Sequence, residues 1–358
     1  MSDSTHSKRT FILTVVLALL GLALSASAAS AAPRTGAVVF SKAEKVAGVE
    51  EGGLFAVRDG RMNQLTEDPA DVEPAFSPDG TTIAFARGGD LFTVRPDGSG
   101  QRRLTSGSEL DSRPIVAANG RYVVFERRAG EGAPTDLYTV AIGGANVHQL
   151  TSGGTDDNEA ALSADGRGVV FVRTLRGAGG FVNKDLFSIR PTGAGLKRLT
   201  RTARIDEFAP RYFAGGILFS RGDDSETPAA YADVYTMKRT GKVVRPQVKG
   251  VGSAYVEDVS PDGHTLLFRR DQGLWAKRIG PARAEKLTEL PDGSETTSVF
   301  SSDGKRVAAI VELEDERRLI SINVANGAYV QLAAGYDLAE GASEIGPVID
   351  WQPTPRRR

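Results

Sequence analysis

The stretch Phe76-Ser77-Pro78-Asp79-Gly80 recurs in related forms along the chain and decides the fold. In its first copy it is followed by an apolar run to Phe85, then by Asp90-Leu91-Phe92, and then by Leu104-Thr105. The first position of the repeat falls, 40 to 51 residues apart, at Phe76, Val116, Leu162, Tyr212, Val259, Phe300 and Trp351. A period of this size is typical of a β-propeller, in which each repeat is one four-stranded blade.

Each part of the repeat has a local physical reason. In the Ser-Pro-Asp-Gly turn, Pro presets a backbone torsion, Asp bonds its own backbone, and Gly takes the left-handed conformation. Residues 81–87 are rich in β-branched and aromatic side chains and predict a second strand, residues 90–95 a third, and residues 101–105 a fourth. Because helical periodicity is absent from the rest of the repeat region, the sequence predicts an all-β fold.

The two ends of the repeat region predict how the ring closes. Residues 37–40, 53–57 and 64–66 supply three strands of a blade that lacks its first strand. Residues 348–353 supply a first strand without followers. Pairing these segments leaves no open sheet edge at the join and gives seven blades. Six blades are the alternative if a weak copy, such as the one at Tyr212, is an insertion.

Composition narrows the classes of partner. The formal net charge of the 358 residues is −1, so neither nucleic acid nor a membrane surface is expected to attract the chain strongly. The 41 Gly suit a fold rich in turns. The chain contains no Cys, which excludes disulfides and thiol chemistry.

The N-terminal segment predicts export. Lys8-Arg9 is followed by an apolar run over residues 11–24 and by small-residue cleavage sites at residues 26–28 and 29–31. This pattern is typical of a secretory signal peptide. An uncleaved membrane anchor is the alternative, and the short apolar run disfavours it.

These boundaries divide the chain into four parts. We predict a signal peptide over residues 1–28, a short linker over 29–35, a propeller over 36–353 and a basic tail over 354–358. The expected location of the mature chain is the periplasm or the extracellular space. After signal cleavage no integral membrane span is expected.

The Ser-Pro-Asp-Gly hairpin, the Asp-Leu-Phe strand and the Leu-Thr ending together resemble the WD-like repeat of TolB-type β-propellers. The resemblance covers essentially the whole mature chain. It implies an exported or periplasmic protein that binds other proteins. The same type of propeller also accompanies the hydrolase domain of prolyl oligopeptidase-like peptidases.

Motifs of catalysis and metal binding are weak. A Gly-x-Ser-x-Gly nucleophile motif is absent, and His148 and His264 are isolated and expected at the surface. The acidic runs at residues 156–159 and 223–224 lack the spacing of a calcium loop. We therefore predict no catalytic residue, no metal site and no cofactor.

One charged pattern recurs with the repeat. Acids lie five residues before its first position, and Arg residues lie two residues beyond the second-strand Phe or its equivalent. Since the first strand starts where the second strand ends, both sets are predicted at one mouth of the central channel. They form either a binding surface or ion pairs that fix the blades. The eight residues are Asp71, Asp111, Asp157, Glu207, Arg87, Arg127, Arg173 and Arg221.

The longest connections between second and third strands, residues 128–135, 174–184 and 222–232, should lie over the same mouth. Phe181 and Tyr231 are candidate contact residues there, because aromatic side chains are frequent anchors at interfaces. The sequence favours a non-enzymatic scaffold that binds a protein, peptide or glycan in the cell envelope. The alternative is a secreted hydrolase or lyase that uses the channel-mouth carboxylates.

Overall fold

The computed structural model describes residues 36–46, 49–176, 182–202, 205–222, 231–250, 252–290, 296–312, 317–336 and 349–353. All strands within these ranges belong to one compact unit, residues 34–358. The predicted signal peptide, the linker, the basic tail and Phe181 lie outside the described residues.

Within those ranges the chain forms seven sheets of four antiparallel strands each. The fold is therefore an all-β propeller with seven blades, and the six-bladed alternative is wrong because the weak copy at Tyr212 builds a complete sheet. In the described part of the chain, no helix is long and apolar enough to cross a bilayer.

Blades 1 to 4 each use four consecutive strands. Blade 1 contains β4 (Asp71–Phe76), β5 (Ile83–Arg87), β6 (Asp90–Val94) and β7 (Arg102–Arg103). Blade 2 contains β8 (Leu110–Val116), β9 (Tyr122–Arg128), β10 (Thr135–Ala141) and β11 (His148–Gln149). Blade 3 contains β12 (Asp157–Leu162), β13 (Val169–Arg176), β14 (Val182–Ile189) and β15 (Lys197–Arg198). Blade 4 contains β16 (Asp206–Phe213), β17 (Gly216–Gly222), β18 (Ala232–Met237) and β19 (Arg245–Val248).

Blades 5 and 6 repeat this order, and blade 7 joins the two ends of the chain. Blade 5 contains β20 (Ala254–Val259), β21 (Thr265–Arg270), β22 (Gly273–Arg278) and β23 (Ala284–Glu289). Blade 6 contains β24 (Thr296–Phe300), β25 (Arg306–Glu312), β26 (Arg317–Asn323) and β27 (Tyr329–Tyr336). Blade 7 contains β28 (Ile349–Trp351), β1 (Val38–Val46), β2 (Val49–Arg58) and β3 (Arg61–Gln64).

The C-terminal strand closes the ring as the sequence predicts. In blade 7, β28 pairs with β1 so that Trp351 lies opposite Val38 and Ile349 opposite Phe40. The indole Nε1 of Trp351 donates a hydrogen bond of 2.9 Å to the carbonyl of Gly36. The strand β28 also contacts β4 of blade 1 and β24 of blade 6, so it belongs to the inner circle of first strands.

The core of the protein lies between the blades. Each apolar cluster combines side chains from two neighbouring sheets, and the clusters follow one another around the ring. The second-strand aromatics are the largest fully buried members: Phe40, Phe85, Phe125, Phe171, Phe219 and Phe268. Their recurrence in the sequence therefore reflects the need to fill each space between blades.

The Ser-Pro-Asp-Gly turn is held by its own side chains. The Asp79 carboxylate accepts hydrogen bonds from the Ser77 hydroxyl at 2.7 Å and from the Thr81 N–H at 3.0 Å. Gly80 has a φ of 70°, a region that a side chain disfavours. The turn thus joins the first and second strands at the end of the blade opposite to Asp71.

Two segments differ from the sequence-based predictions. Strand β1 continues from the predicted run to Val46, because it pairs along its length with β2. The predicted connection over residues 174–184 is partly strand, since Arg176 still pairs with Val182 in the blade 3 hairpin. Backbone hydrogen bonds between paired strands continue past the last apolar residue, so residue composition alone underestimates the length of such strands.

We expect Trp351→Ala to lower the free energy of unfolding by about 3–5 kcal/mol, because the indole fills the interface between blades 6 and 7. Denaturant unfolding checks this value. Met62→Ala, at an exposed position of the same blade, is the control and should change stability by less than about 0.5 kcal/mol. Equal stability of both variants would contradict closure by β28.

Candidate functional site

The structure brings each predicted acid to its predicted base within one blade. The register of first and second strands places four pairs directly opposite each other: Asp71 and Arg87, Asp111 and Arg127, Asp157 and Arg173, Glu207 and Arg221. All four pairs lie where the first strand starts and the second strand ends. We call this end of the propeller the ion-pair face.

The Asp–Arg pairs are bidentate and largely buried. In blade 2, Arg127 donates from Nε to Asp111 Oδ1 at 2.6 Å and from Nη2 to Oδ2 at 2.8 Å. The Asp157 carboxylate is 0% exposed, and the Arg173 side chain beside it is 12% exposed. The hydrogen bonds that Arg173 donates to Asp157 raise the pKa of Arg173 above its usual value. Such two-pronged bonds fix both side chains and the strand ends that carry them.

Each guanidinium also stacks on aromatic rings. Arg127 lies 5.3 Å from the ring centre of Phe125 and 5.1 Å from that of Tyr138. Blades 1, 3 and 4 have the same arrangement around Arg87, Arg173 and Arg221. The aromatic of the Asp-Leu-Phe strand is thus needed twice, for packing within the blade and for cation–π contact with the Arg.

Glu207 makes a different set of contacts from the three Asp residues. One of its oxygens accepts from Arg221 Nε at 3.0 Å, and the other accepts from the Thr200 hydroxyl at 2.7 Å. Burial raises the pKa of Glu207 to about 7. Thr200 itself accepts from the Leu186 N–H at 2.9 Å, so the Leu-Thr ending of blade 3 bonds to both its own third strand and blade 4.

The structure describes Tyr231 and the connection over residues 128–135, whereas residues 177–181 and 223–230 of the other two connections lie outside the described residues. Tyr231 is 52% exposed and directly precedes β18, at the ion-pair face. The connection over residues 128–135 leaves the same face after β9. Phe181 falls outside the described residues, so its position on this face stays a prediction.

Sequence reasoning missed a second charged set, which lines the central channel. The first strands of blades 1 to 4 each contain a bulge at which a residue other than Gly has a positive φ, for example Glu73 at 57° and Glu159 at 52°. The carboxylate of Glu73 accepts the N–H of Arg113 in blade 2 at 2.5 Å. Glu159 likewise accepts the N–H of Ala209 in blade 4 at 2.5 Å.

Similar bonds join other neighbouring blades. Asp350 of blade 7 accepts the N–H of Phe76 in blade 1 at 2.6 Å, and Asp258 of blade 5 accepts that of Phe300 in blade 6 at 2.8 Å. The spacing could have revealed them, since Asp258 and Asp350 directly precede the first position of their repeats. Side chains alternate between the two sides of a strand, so the residue before a buried first position points toward the channel axis, where a polar side chain is accommodated.

These side chains surround a cavity of about 490 Å³ on the propeller axis, lined by first strands of all seven blades. Its charged lining consists of Glu73, Glu126, Glu159, Glu257, Asp258, Asp350, Arg113 and Arg211. Burial raises the pKa of Glu73 to about 7 and that of Asp350 to about 7. Burial in the cavity therefore favours the protonated form of these two carboxyl groups.

The opposite mouth of the channel is formed by the Ser-Pro-Asp-Gly turns. It is a funnel of about 1110 Å³ with Asp79, Asp262 and Asp303 in its lining. The Ser260 hydroxyl holds the pKa of Asp262 below its usual range. In the described ranges, no group of three or more His, Asp and Glu side chains is arranged to hold a metal ion.

Solved structures with the same architecture come from functionally different proteins. TolB from Acinetobacter baumannii aligns with a TM-score of 0.53 and 13% identity over 88% of this chain and 82% of TolB. Oligogalacturonate lyase from Vibrio parahaemolyticus aligns with a TM-score of 0.62 and 10% identity over 80% of this chain and 91% of the lyase. A puromycin-hydrolysing peptidase from Mycobacterium tuberculosis aligns with a TM-score of 0.62 and 14% identity over 85% of this chain and 52% of the peptidase.

These likenesses concern the fold. No family model matches the sequence. The resemblance to TolB-type propellers predicted from the repeat is confirmed for the architecture. Since lyases and peptidases share it, the function has to be argued from the residues of this chain.

A double-mutant cycle on Asp157→Ala and Arg173→Met tests the buried pair. Each single substitution should cost roughly 3 kcal/mol, because it leaves an unpaired charge in a buried place, and the double substitution should cost less than the sum. The exposed pair of Arg239 and Asp165, 3.2 Å apart, is the control and should couple by less than about 1 kcal/mol. Equal coupling in both pairs would refute a structural role for the ion pairs.

Stability should fall as pH rises from about 4.5 to about 7, because the folded state binds the proton of Glu73 more tightly than the unfolded state does. The contribution is complete below the unfolded pKa of 4.5 and is lost through the folded pKa of about 7. Glu73→Gln should flatten this part of the profile of melting temperature against pH. Asp165→Asn is the control and should keep the slope, since the Ser163 hydrogen bond lowers the pKa of Asp165 to about 2.

Proposed function

We propose that this chain is an exported propeller that binds a protein, peptide or glycan of the cell envelope at the ion-pair face and does not catalyse a reaction. The location rests on the signal-peptide pattern of residues 1–28. The propeller fold shared with TolB is consistent with binding, as it is with other roles.

The observation that carries the proposal is the position of the strands that flank the long connections: in blades 2, 3 and 4 the second strand ends, and the third strand begins, at the ion-pair face. In blades 2 and 4 the second strand ends at the residue after the paired Arg127 or Arg221, and in blade 3 it continues past the paired Arg173 to Arg176. Loops on a rigid scaffold are frequent binding elements. Tyr231 adds an exposed aromatic side chain to this surface.

The ion pairs would act as the support of this surface. The carboxylates of Asp71, Asp111 and Asp157 are buried beneath their arginines, so a partner would meet the outer edges of the guanidinium groups and the loops. Bidentate bonds hold the strand ends in one geometry, which lowers the entropy that binding has to remove. On this proposal the eight paired residues of the ion-pair face contribute mainly by positioning the contact groups.

We expect a variant of the ion-pair face to lose its partner. It combines Tyr231→Ser with replacement of residues 129–134 by Gly-Gly, the connection that blade 1 already has at Gly88-Gly89. A cross-linked pull-down from the cell-envelope fraction, followed by titration with the purified partner, should show at least about tenfold weaker binding, as expected when an anchor is lost. The control Arg121→Ser, exposed at the opposite end of blade 2, should bind as the wild type does.

Two outcomes would contradict the proposal. Equal affinity of the face variant and the control would place the partner elsewhere. Turnover of a glycan or peptide panel that is lost in Glu73→Gln would instead support a lyase or hydrolase, since carboxyl groups with a pKa near neutral in a cavity suit general acid–base chemistry.

A further inference from the structure

Blade 5 has the arginine of the ion-pair motif without its acid. The register of β20 and β21 places Ala254 opposite Arg270, in the same way that Asp71 lies opposite Arg87 in blade 1. Ala254 is buried. The blade therefore lacks the carboxylate that neutralises the equivalent guanidinium in each of blades 1 to 4.

The aromatic part of the motif is retained and strengthened. The guanidinium of Arg270 lies 4.1 Å from the ring centre of Trp275, whereas that of Arg87 lies 4.8 Å from Phe92. The indole is fixed, because its Nε1 donates to the carbonyl of Arg270 at 3.2 Å. The ammonium of Lys286 lies 5.6 Å from the same ring centre. Two cations thus flank one aromatic surface.

The Arg270 side chain has an unused donor. Its Nε is buried and makes no hydrogen bond to any described residue. In blades 1 to 3 the equivalent Nε donates to the acid at 2.5 to 2.6 Å. The carboxylate of Asp271 lies 3.7 Å from Arg270 Nε, beyond hydrogen-bond distance, and its side chain is 59% exposed.

The site opens at the ion-pair face. Blade 5 connects its second and third strands by the two residues Asp271-Gln272, so it lacks a long connection of the kind found after β9. The Arg270 side chain is 18% exposed, so part of it is accessible to a ligand although its Nε is buried.

We propose that Arg270 and Trp275 form a binding site for a carboxylate of the ligand. This carboxylate contacts the exposed part of the Arg270 side chain and supplies the negative charge that Asp71, Asp111 and Asp157 supply within their own blades. Two sources have this chemistry: the free C-terminus or an acidic side chain of a peptide, and the uronate of an acidic glycan. The identity of the ligand rests on the proposed function, whereas the site itself follows from blade 5 alone.

The test uses NMR, in which the signal of the Arg270 Nε–H group reports on the site directly. This signal is assigned as the one that is missing from the spectrum of Arg270→Lys. The peptide probe is acetyl-Gly-Gly with a free carboxylate, compared with its C-terminal amide. The glycan probe is trigalacturonate, compared with neutral maltotriose. We expect a saturable shift with one or both carboxylate probes and none with the neutral ones. If only one of the two carboxylate probes shifts the Arg270 signal, that result identifies the ligand's carboxylate as belonging to a peptide or to a glycan.

Ala254→Asp supplies the missing acid internally and is the decisive variant. Its Arg270 Nε resonance should move toward those of Arg87, Arg127 and Arg173 without ligand, and its affinity for the carboxylate probe should fall at least tenfold. A melting temperature no lower than that of the wild type shows that the variant folds. Should it fold poorly, Arg270→Lys, which keeps the charge and loses the planar donor pair, should weaken binding at least fivefold by calorimetry.

Three results would overturn the proposal: no saturable response, equal responses to carboxylate and neutral probes, or unchanged affinity in both variants. The proposed function fails separately. If Ala254→Asp recovers the envelope partner in the pull-down as the wild type does, the partner does not bind through this carboxylate site. The proposal that the partner binds at the ion-pair face then still stands. If the carboxylate probes bind but no partner depends on Tyr231 and residues 129–134, the site stands and the proposed function fails.

Discussion

The structure depends on the apolar interfaces between neighbouring blades. A four-stranded sheet cannot bury its own faces, so every blade needs the side chains of the next one, and the described clusters each combine two sheets. Without Cys, disulfides are unavailable to hold the ring. Buried carboxylates such as Glu73 and Asp350 accept hydrogen bonds from backbone N–H groups of the next blade. Because hydrogen bonds are directional, they fix the relative position of neighbouring blades more strictly than apolar packing does.

The sequence predicted the fold well because each blade repeats the same local chemistry. The turn residues, the second-strand Phe and the Leu-Thr ending all have short-range causes that are visible in one repeat. Strand pairing then placed Asp111 opposite Arg127, as the repeat spacing predicted. Glu73 and Glu159 were missed because their orientation depends on bulges and positive φ values, which tertiary contacts impose and residue type does not indicate.

The two ends of the propeller carry charge in different ways. At the ion-pair face the carboxylates are buried under arginines, so the accessible groups are guanidinium edges and loops. At the other mouth, the Asp residues of the turns lie in the lining of the funnel itself. The two mouths therefore expose different charged groups, although the formal net charge of the chain is only −1.

The closing strand also constrains the order of folding. Trp351 bonds to Gly36 across 315 positions of sequence, so blade 7 stays incomplete until the last strand has been synthesised. Bringing such distant segments together costs about 5 kcal/mol of loop-closure entropy, which only the completed interfaces can offset. Until then β1 has an unpaired backbone edge, and the interface between blades 6 and 7 lacks the side chains of β28. A nascent chain that still lacks β28 is consequently the most vulnerable to aggregation and proteolysis, and the native ring should form late and cooperatively.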